Sequence, residues 1–447
     1  MTAAPPVDVR HYPYTSHRLE LLTAFMRSLK GGVDRMDAVG GDLVVAQARP
    51  LPSIVHVRHP DLLRELLVDR NADVTKARGL RLAQTILGDG LLTSEVPRHT
   101  RQRKLVLPAF HHGRLRGYGQ TMVDLTRDEI RGWTASAPFD AAEAMNRLAL
   151  AIAGQTLFGA DVLDDADRVS GAVRGAMAAF DGAQYPFSDR LTWLPTKANR
   201  TSQRSRATLD DLVYGMIAER RAGGAGHADL LGMLLDARDA DTDEAMSDEE
   251  VRDEVMTLLL AGHETTAVAL AWTWMLLAQN PDAEARLHAE VDALTAPPTF
   301  DDLDRLPYTR QVFAESMRLY PPAWSVGREA ARDTSLGGHP ISRGTTILFA
   351  PLHLHRDPRF WDEPEAFRPE RFEPEARAGR HKFAYLPFSA GRRGCIGEQF
   401  AWVEGTLVLA TIAQRWRLSL AAAPPAPHGS VTLRPSGPVR MVAEQRG

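Results

Sequence analysis

The sequence contains a single cysteine, Cys395, among 447 residues. A chain with one cysteine forms no internal disulfide, so this residue has no part in a disulfide framework. The net charge of −4 gives no reason to expect nucleic-acid binding. The N-terminus lacks an apolar signal core, and no run of about 18 consecutive apolar residues occurs. These absences predict a cytoplasmic protein without a membrane anchor.

The chain also lacks low-complexity linkers and internal repeats. Its length alone would suit roughly three domains of about 150 residues each. However, hydrophobic residues make up 44% of the sequence, which is enough for one large core. We therefore expect residues 1–447 to form one domain, and we expect a monomer.

The surroundings of Cys395 are typical of a ligand loop. Residues 388–397 read Phe-Ser-Ala-Gly-Arg-Arg-Gly-Cys-Ile-Gly, and the three glycines would allow a tight turn close to a flat cofactor. An apolar pattern at helical spacing begins at Ile396, so Cys395 would precede a helix N-terminus. Unpaired N–H groups and the helix dipole there favour a metal-binding thiolate. The alternative is a buried, inert cysteine after a glycine-rich turn.

This decapeptide resembles the cysteine-ligand loop of the cytochrome P450 family, Phe-x-x-Gly-x-Arg-x-Cys-x-Gly, and every fixed position is filled. The resemblance implies a mainly α fold with small β-sheets. In that fold, a triangular prism of helices, the haem lies between a long central helix and the cysteine-ligand helix. Cys395 would then be the axial ligand of haem b, and Phe388 and Gly397 would contact that cofactor.

Two basic residues stand four apart in a helical pattern further upstream. His99 and Arg103 would share one helical face and could grip the same anion. The resemblance assigns both of them to the haem propionates, where charge-assisted hydrogen bonds hold the ring. It assigns Arg328 and Arg393 to the same propionates.

A long helix is predicted from Ser247 to Asn280. Ser247 and Glu250 form a capping-box pattern, and the Pro after Asn280 starts the next helix. The middle of this helix, residues 261–266, reads Ala-Gly-His-Glu-Thr-Thr between apolar runs. Burying polar residues in a helix costs free energy, which suggests that they have a function. The alternative is that they form a solvated surface patch.

The same hexapeptide resembles the family's oxygen-activation motif, in which the helix loosens locally. The resemblance implies that Thr265 hydrogen-bonds the oxygen at the haem and that Glu264 relays protons to it. Ala261 would border both the haem and the substrate. His263 is not fixed in that motif, and we interpret it as a packing or polar-contact residue.

Glu315 and Arg318 are three apart in a predicted helix and can pair. Alone, such a pair is usually a surface ion pair. Residues 367–372, Phe-Arg-Pro-Glu-Arg-Phe, resemble the family's partner segment, which implies a buried triad of Glu315, Arg318 and Arg371.

The resemblance also implies where substrate binds. Residues 76–93 would roof the haem, although a loop packed on the core by leucines is an equal alternative. The apolar loop at residues 185–195 would be a lid that either folds back on the pocket or contacts a membrane surface. The residues expected to line the pocket are Leu87, Leu91, Phe187, Ala261, Ala323, Trp324 and Val326.

The implied reaction is monooxygenation of a lipophilic substrate. No flavin or nicotinamide module fits in this length, so a ferredoxin or flavodoxin with its reductase would supply electrons. Arg101, Lys104 and Arg392 could dock such an acidic partner, or Arg101 and Lys104 could be merely solvated.

The substrate prediction rests on weaker patterns. Segments 318–324, 344–348 and 431–435 look similar to bacterial carotenoid-ring hydroxylases, so a carotenoid is the leading expectation. Terpene or fatty-acid hydroxylation is the alternative. A haem-thiolate protein that binds a ligand without converting it is a further alternative, against which the intact pair Glu264 and Thr265 argues.

Overall fold

The computed structural model describes residues 7–13, 18–47, 53–159, 171–173, 175–176, 196–223, 229–238 and 243–446. The α-helices are labelled, in chain order, α1 (Arg18–Arg27), α2 (Leu29–Asp37), α3 (Pro60–Arg64), α4 (Arg78–Leu82), α5 (Gln84–Leu87), α6 (Arg98–Val106), α7 (His112–Arg131), α8 (Ala141–Phe158), α9 (Lys197–Ala222), α10 (Leu230–Asp236), α11 (Asp248–Gln279), α12 (Pro281–Asp292), α13 (Pro307–Leu319), α14 (Pro351–Leu354), α15 (Pro374–Ala378) and α16 (Glu398–Ala413).

The strands are short and form small sheets. They are β1 (Val9–His11), β2 (Leu43–Ala46), β3 (Ile54–Val57), β4 (Val74–Lys76), β5 (Pro138–Asp140), β6 (Val326–Ala330), β7 (Thr334–Leu336), β8 (His339–Ile341), β9 (Thr346–Phe349), β10 (Trp416–Leu420), β11 (Pro427–Gly429), β12 (Leu433–Pro435) and β13 (Arg440–Gln445). The largest sheet has the order β1-β2-β3-β9-β6-β4, and a second has the order β10-β13-β5. The pairs β11-β12 and β7-β8 complete the set.

The large sheet forms where the sequence has short runs of β-branched residues. Strand β2 reads Leu-Val-Val-Ala and β3 reads Ile-Val-His-Val, and they pair antiparallel with Val45 opposite Val55. All four residues of β2 are buried, as expected for a strand that is covered on both faces. This sheet packs with α3 in its own apolar cluster, separate from the helical core.

Helix α11 lies at the centre of the helical core, where it packs against α8, α9, α13 and α16. Its 32 residues span about 48 Å. The predicted capping box is confirmed, because the Glu250 N–H donates to the Ser247 hydroxyl and the Ser247 N–H donates to the Glu250 carboxylate. By length and hydropathy α11 would also suit a membrane span, but 78% of its apolar window is buried inside the protein. That burial is typical of a core helix.

The predicted class, mainly α with small β-sheets, is confirmed. The segment at residues 76–93 is less irregular than expected, because it contains the short helices α4 and α5. The predicted lid at residues 185–195, with Phe187 and Trp193, lies outside the described residues.

Candidate active site

Backbone hydrogen bonds close the loop that carries Cys395. The Cys395 N–H donates to the Phe388 carbonyl at 3.0 Å, and the Gly394 N–H donates to the Gly391 carbonyl at 3.0 Å. Gly391 has a φ of +72°, and a Cβ there would lie 2.1 Å from the carbonyl oxygen of Leu67. Glycine is therefore required at position 391 by its positive φ and by the neighbouring backbone of Leu67.

The last residues of the loop connect Cys395 to the following helix. Helix α16 begins at Glu398, so Cys395 precedes a helix N-terminus as predicted. The Phe388 ring packs edge-on against the Trp402 ring, with centroids 5.5 Å apart. A Cβ at Gly397 would make only an ordinary contact, 3.7 Å from the Phe110 ring. Among the described protein atoms, none lies close enough to require a glycine at position 397, and its predicted contact with a cofactor stays a prediction.

The surroundings of Cys395 oppose ionisation of its thiol. Burial raises the pKa of the Cys395 thiol to about 11, although the N–H of Gly397 and the charge of Arg103 act in the opposite direction. The residue nevertheless has exposed surface, so that surface faces a recess within the protein rather than bulk water. Desolvation outweighs the helix N-terminus here, and a thiolate requires a bound cation, which deprotonates a coordinating thiol outright.

Five basic residues lie together beside this loop, and we call them the cationic group: Lys76, His99, Arg103, Arg328 and Arg393. Burial and the charges of the other four members lower the pKa of His99 to about 4. Burial, together with the charge of Arg393, lowers the pKa of Arg328 to about 10. Burial lowers the pKa of Lys76 to about 7. His99 is therefore neutral near pH 7, and the arginines carry most of the positive charge of the group. Positive charge in a buried place favours an anionic ligand.

Two arginines of the cationic group have unsatisfied donors. Arg328 is 4% exposed. Among the residues that the structure describes, its Nε and the Nε of Arg393 have no hydrogen-bond partner. Buried donors are rarely left without acceptors, so both point to an acceptor from a bound group. The carboxylates of a haem fit this requirement in charge and in hydrogen-bonding capacity.

The sequence-predicted members of this group are brought together, and two further residues join them. Arg103 Nη1 donates to the carbonyl of Gly394, which precedes Cys395. Arg393 pairs with Glu95 at 2.6 Å, and the N–H of Lys76 also donates to Glu95. The sequence analysis does not predict Lys76 and Glu95 as site residues. Glu95 is 19 positions from Lys76 and 298 positions from Arg393, so no local pattern indicates these contacts.

The middle of α11 differs from the rest of the helix in burial. Ala261 is exposed and both Glu264 and Thr265 are half-buried, whereas Leu258 to Leu260 are fully buried. The Thr265 hydroxyl donates to the Ala261 carbonyl at 2.7 Å. The helix is continuous through this point, so the local loosening expected from the resemblance is not seen. The polar stretch is therefore partly accessible in the middle of an otherwise buried helix.

Glu264 contacts a residue from the C-terminal region. The Thr432 hydroxyl donates to Glu264 Oε1 at 2.7 Å. His263 points elsewhere, with Nε2 3.2 Å from Asn146 Oδ1, and it is fully buried. The interpretation of His263 as a polar-contact residue therefore agrees with its position.

The loop after α5 is fastened to α11 by two carboxylates. Asp253 accepts the N–H of Asp89 at 2.6 Å, and Glu254 accepts the N–H of Leu91 at 3.1 Å. Gly88 has a φ of +74°, and a Cβ there would lie 1.9 Å from Asp253 Oδ1. Both predicted pocket leucines of this region, Leu87 and Leu91, are buried. The loop is therefore held against the long helix, as a roof over the recess requires.

The predicted pocket residues that follow α13 divide into two sets. Ala323 and Val326 are half-buried. Trp324 is 1% exposed and packs in a separate apolar cluster with Leu348 and Leu433. We therefore place Trp324 behind the pocket rather than in its wall, because its ring is covered by protein on all sides.

The predicted triad is present and buried. Arg318 forms a bidentate pair with Glu315, with Nε to Oε2 at 2.7 Å and Nη2 to Oε1 at 2.8 Å. Arg371 Nε lies 3.3 Å from Glu315 Oε1. Both Glu315 and Arg318 have side chains that are 0% exposed, so this is a core network and not a surface pair.

The predicted docking cations are not equivalent. Arg101 pairs with Glu250 at 3.0 Å, across to the start of α11, so its charge is already compensated. Lys104 and Arg392 are both exposed. The prediction of a docking role is thus weakened for Arg101 and remains a prediction for Lys104 and Arg392.

A recessed cysteine ahead of a helix, a cationic group with unsatisfied donors and a long core helix with a polar break define the class of haem-thiolate proteins. A family model described as Cytochrome P450 matches residues 42–441. The chain belongs to the cytochrome P450 family, and family membership implies a haem cofactor and monooxygenase activity.

The chain is similar to several curated proteins over most of its length. It is 40% identical to "Cyclooctatin synthase" of Streptomyces melanosporofaciens, over 91% of this chain and 89% of that protein. It is 38% identical to "Cyclooctat-9-en-7-ol 5-monooxygenase" of the same organism, with the same coverage of both chains. It is 34% identical to "Pentalenene oxygenase" of Streptomyces avermitilis, over 90% of this chain and 87% of that protein.

A solved structure from the same family also matches this chain. The crystal structure of a cytochrome P450DA mutant heme domain matches with a TM-score of 0.84 and 28% identity. The match covers 99% of this chain and 98% of that chain.

Proposed function

We propose that this P450 monooxygenase hydroxylates a terpene. The observation that carries the proposal is the set of three relatives named for cyclooctatin, cyclooctat-9-en-7-ol and pentalenene, each similar over about nine-tenths of this chain. This similarity favours the terpene alternative over the carotenoid that the sequence patterns had favoured. A fatty acid and a ligand that is bound without conversion have no comparable support.

The cofactor proposed is haem b, which Cys395 Sγ would hold through the iron and the cationic group would hold through the propionates. When bound, the haem supplies the iron at which O2 is reduced and split. Arg328 and Arg393 provide the unsatisfied donors, and Arg103 ties α6 to the carbonyl before the cysteine. Phe388 packs on Trp402 beside the loop, where it would shield the sulfur from water.

The catalytic pair proposed is Glu264 and Thr265. Monooxygenation combines a substrate RH with O2, two electrons and two protons to give ROH and water. Without ordered proton delivery, O2 takes up the same two electrons and two protons and leaves as hydrogen peroxide. Glu264 would pass protons inward from the solvent side, and the Thr265 hydroxyl, now bonded to the Ala261 carbonyl, would turn to donate at the oxygen site.

The triad of Glu315, Arg318 and Arg371 is proposed to be structural. We further propose that residues 1–447 form one haem domain, which the family match over residues 42–441 supports. Electrons would come from a ferredoxin or flavodoxin with its reductase, docked near Lys104 and Arg392. The monomeric state, the cytoplasmic location and a membrane contact near Trp193 remain predictions.

Two spectra test the proposal. Reduced wild type with CO should show the Soret band of a thiolate-ligated haem, and Cys395→Ser should lose that band, because a hydroxyl is a poorer donor than a thiolate. Titration with pentalenene, cyclooctat-9-en-7-ol, β-carotene and palmitic acid should shift the oxidised haem from low spin to high spin. A terpene that shifts the spectrum and yields a hydroxylated product supports the proposal, and a response to β-carotene or palmitic acid alone would reject it.

A further inference from the structure

We propose that Thr432 is a positioning residue that fixes the carboxylate of Glu264 for proton delivery, an inference that rests on the proposed role of Glu264. Thr432 lies 168 positions from Glu264 in sequence, in the segment just before β12. Its hydroxyl donates to Glu264 Oε1 at 2.7 Å, the ordinary distance of a well-formed O–H···O hydrogen bond. Thr432 is 3% exposed, so bulk water does not compete for the contact.

The turn that carries Thr432 is held on both sides by buried indoles. On one side, Trp324 Nε1 donates to the Ser430 carbonyl at 2.8 Å. On the other, Trp272 Nε1 donates to the Leu433 carbonyl at 2.6 Å. The Ser430 N–H donates to the Thr432 carbonyl at 3.0 Å within the turn itself. Large side chains in a packed core have little freedom to move, so Thr432 is presented in one place.

The same helix carries the acid and one of the two indoles. Trp272 follows Glu264 by about two turns of α11, and its ring stacks on the Tyr320 ring with centroids 4.2 Å apart. The N–H of Leu433 donates to the Pro322 carbonyl at 3.0 Å, which ties the turn to the segment after α13. The turn is therefore attached to helix α11 at two points, through Trp272 and through the Thr432 hydroxyl, which holds the carboxylate of Glu264.

This arrangement suits a residue that must give and regain a proton. A glutamate side chain has several rotatable bonds, and ordering it costs conformational entropy that a rigid partner must offset. A threonine hydroxyl can donate to the ionised carboxylate and can accept from the protonated acid, so the contact survives both states of Glu264. Fixing Oε1 also orients the second oxygen, because the carboxylate is planar.

The alternative is that Thr432 only secures the C-terminal turn. The indoles of Trp272 and Trp324 already hold that turn through backbone carbonyls, which do not change when the hydroxyl is removed. Loss of the hydroxyl should therefore leave the turn in place and release the acid alone.

The test compares Thr432→Val, which keeps the shape without the hydroxyl, with Thr432→Ser, which keeps the hydroxyl. Thr126→Val is the matched control, since Thr126 is buried in α7 and donates only to the Met122 carbonyl. Glu264→Gln is the reference for loss of the acid. Each holoenzyme is assayed for product and hydrogen peroxide per NADH with a surrogate ferredoxin and reductase, using the terpene that wild type hydroxylates.

Thr432→Val should lower product per NADH roughly three- to tenfold, raise peroxide correspondingly and increase the solvent deuterium isotope effect. Thr432→Ser and Thr126→Val should remain near wild type. If Glu264→Gln uncouples the reaction and Thr432→Val does not, the inference is overturned. If Glu264→Gln is itself fully coupled, the proposed role of Glu264 fails instead.

Crystal structures provide a second measurement that needs no turnover. In Thr432→Val, residues 430–433 should keep their positions while Glu264 occupies more than one rotamer. A single Glu264 rotamer identical to that of wild type would overturn the inference, and so would a displaced turn, which would assign Thr432 a structural role.

Discussion

Removing the carboxylate of the buried triad should destabilise the protein strongly. Glu315 accepts both guanidinium contacts of Arg318 and also the N–H of Arg368 at 2.9 Å. Arg318 has a further role, because it donates to the carbonyls of His355, Pro364 and Ala366. Glu315→Ala would leave this guanidinium charged, buried and without its counter-ion.

The magnitude follows from the burial of the pair. Breaking a buried ion pair by removing one partner costs about 3–5 kcal/mol, whereas an exposed pair contributes less than about 1 kcal/mol. A loss of that size lowers the ratio of folded to unfolded protein roughly 100-fold or more. Since domains are stable by only about 5–15 kcal/mol, Glu315→Ala should yield little haem-loaded protein.

The chain contains a matched control at the same helical spacing. Asp128 and Arg131 pair at 2.6 Å on the surface of α7, with side chains 55% and 69% exposed. Asp128→Ala should change the free energy of unfolding by less than about 1 kcal/mol. Urea titration followed by far-UV circular dichroism and the haem content per chain are the two measurements. Equal midpoints and equal haem content in Glu315→Ala and Asp128→Ala would refute the reasoning.

Two other predictions concern single buried groups. A hydrogen bond to a charged group contributes about 1.5–3 kcal/mol, so Arg328→Leu should speed the transfer of haem to apomyoglobin roughly 10- to 100-fold. The control is Arg332→Leu, a change at an exposed position that should leave the transfer rate unchanged. Equal rates in the two variants would contradict a haem contact for Arg328. Burial lowers the pKa of His263 to about 4 from the ordinary 6.5, so between these values the unfolded chain binds more protons and stability falls as the pH falls. Between pH 6.5 and pH 4, the free energy of unfolding measured by urea titration should fall by about 3 kcal/mol less in His263→Gln than in wild type. Parallel pH dependences in the two proteins would show that His263 does not cause the loss of stability.

Local spacing was sufficient to predict several parts of this protein. The capping box of α11 and the face shared by Glu315 and Arg318 involve residues three apart, and a helix brings such residues together wherever it lies. The position of Cys395 ahead of α16 likewise follows from a turn and an apolar period. The family resemblance supplied Arg371, which no local pattern connects to Glu315.

Contacts between segments that are distant in sequence could not be predicted from local spacing. The pairing of Arg101 with Glu250 links two helices that are 149 positions apart in sequence, so a cation expected to be available for docking is already compensated. Trp324 lies two positions after Pro322, and contacts with distant segments, among them the C-terminal turn, decide which side its ring faces. The pKa of Cys395 depends on how completely the loop is enclosed, which is a property of the whole fold.

The two ends of the proposed site are positioned by the same pair of helices. On the cysteine side, Tyr385 Oη donates to the Ala314 carbonyl of α13 at 2.9 Å, and the N–H of Leu386 donates to His355 Nε2 at 2.8 Å. His355 is in turn bound to Arg318 through its carbonyl. The loop that presents the sulfur therefore begins two residues after a point fixed to α13.

On the acid side, Glu264 is carried by α11, and the turn that holds it is bound to α11 and to the segment after α13. Helix α11 packs directly on α13 and also on α16, the helix that follows Cys395, so these contacts in the core hold the sulfur and the carboxylate relative to one another. Interdigitated cores resist small shifts, so such contacts keep both groups in register. The residues that select a substrate should therefore be sought in the loops outside this helical frame.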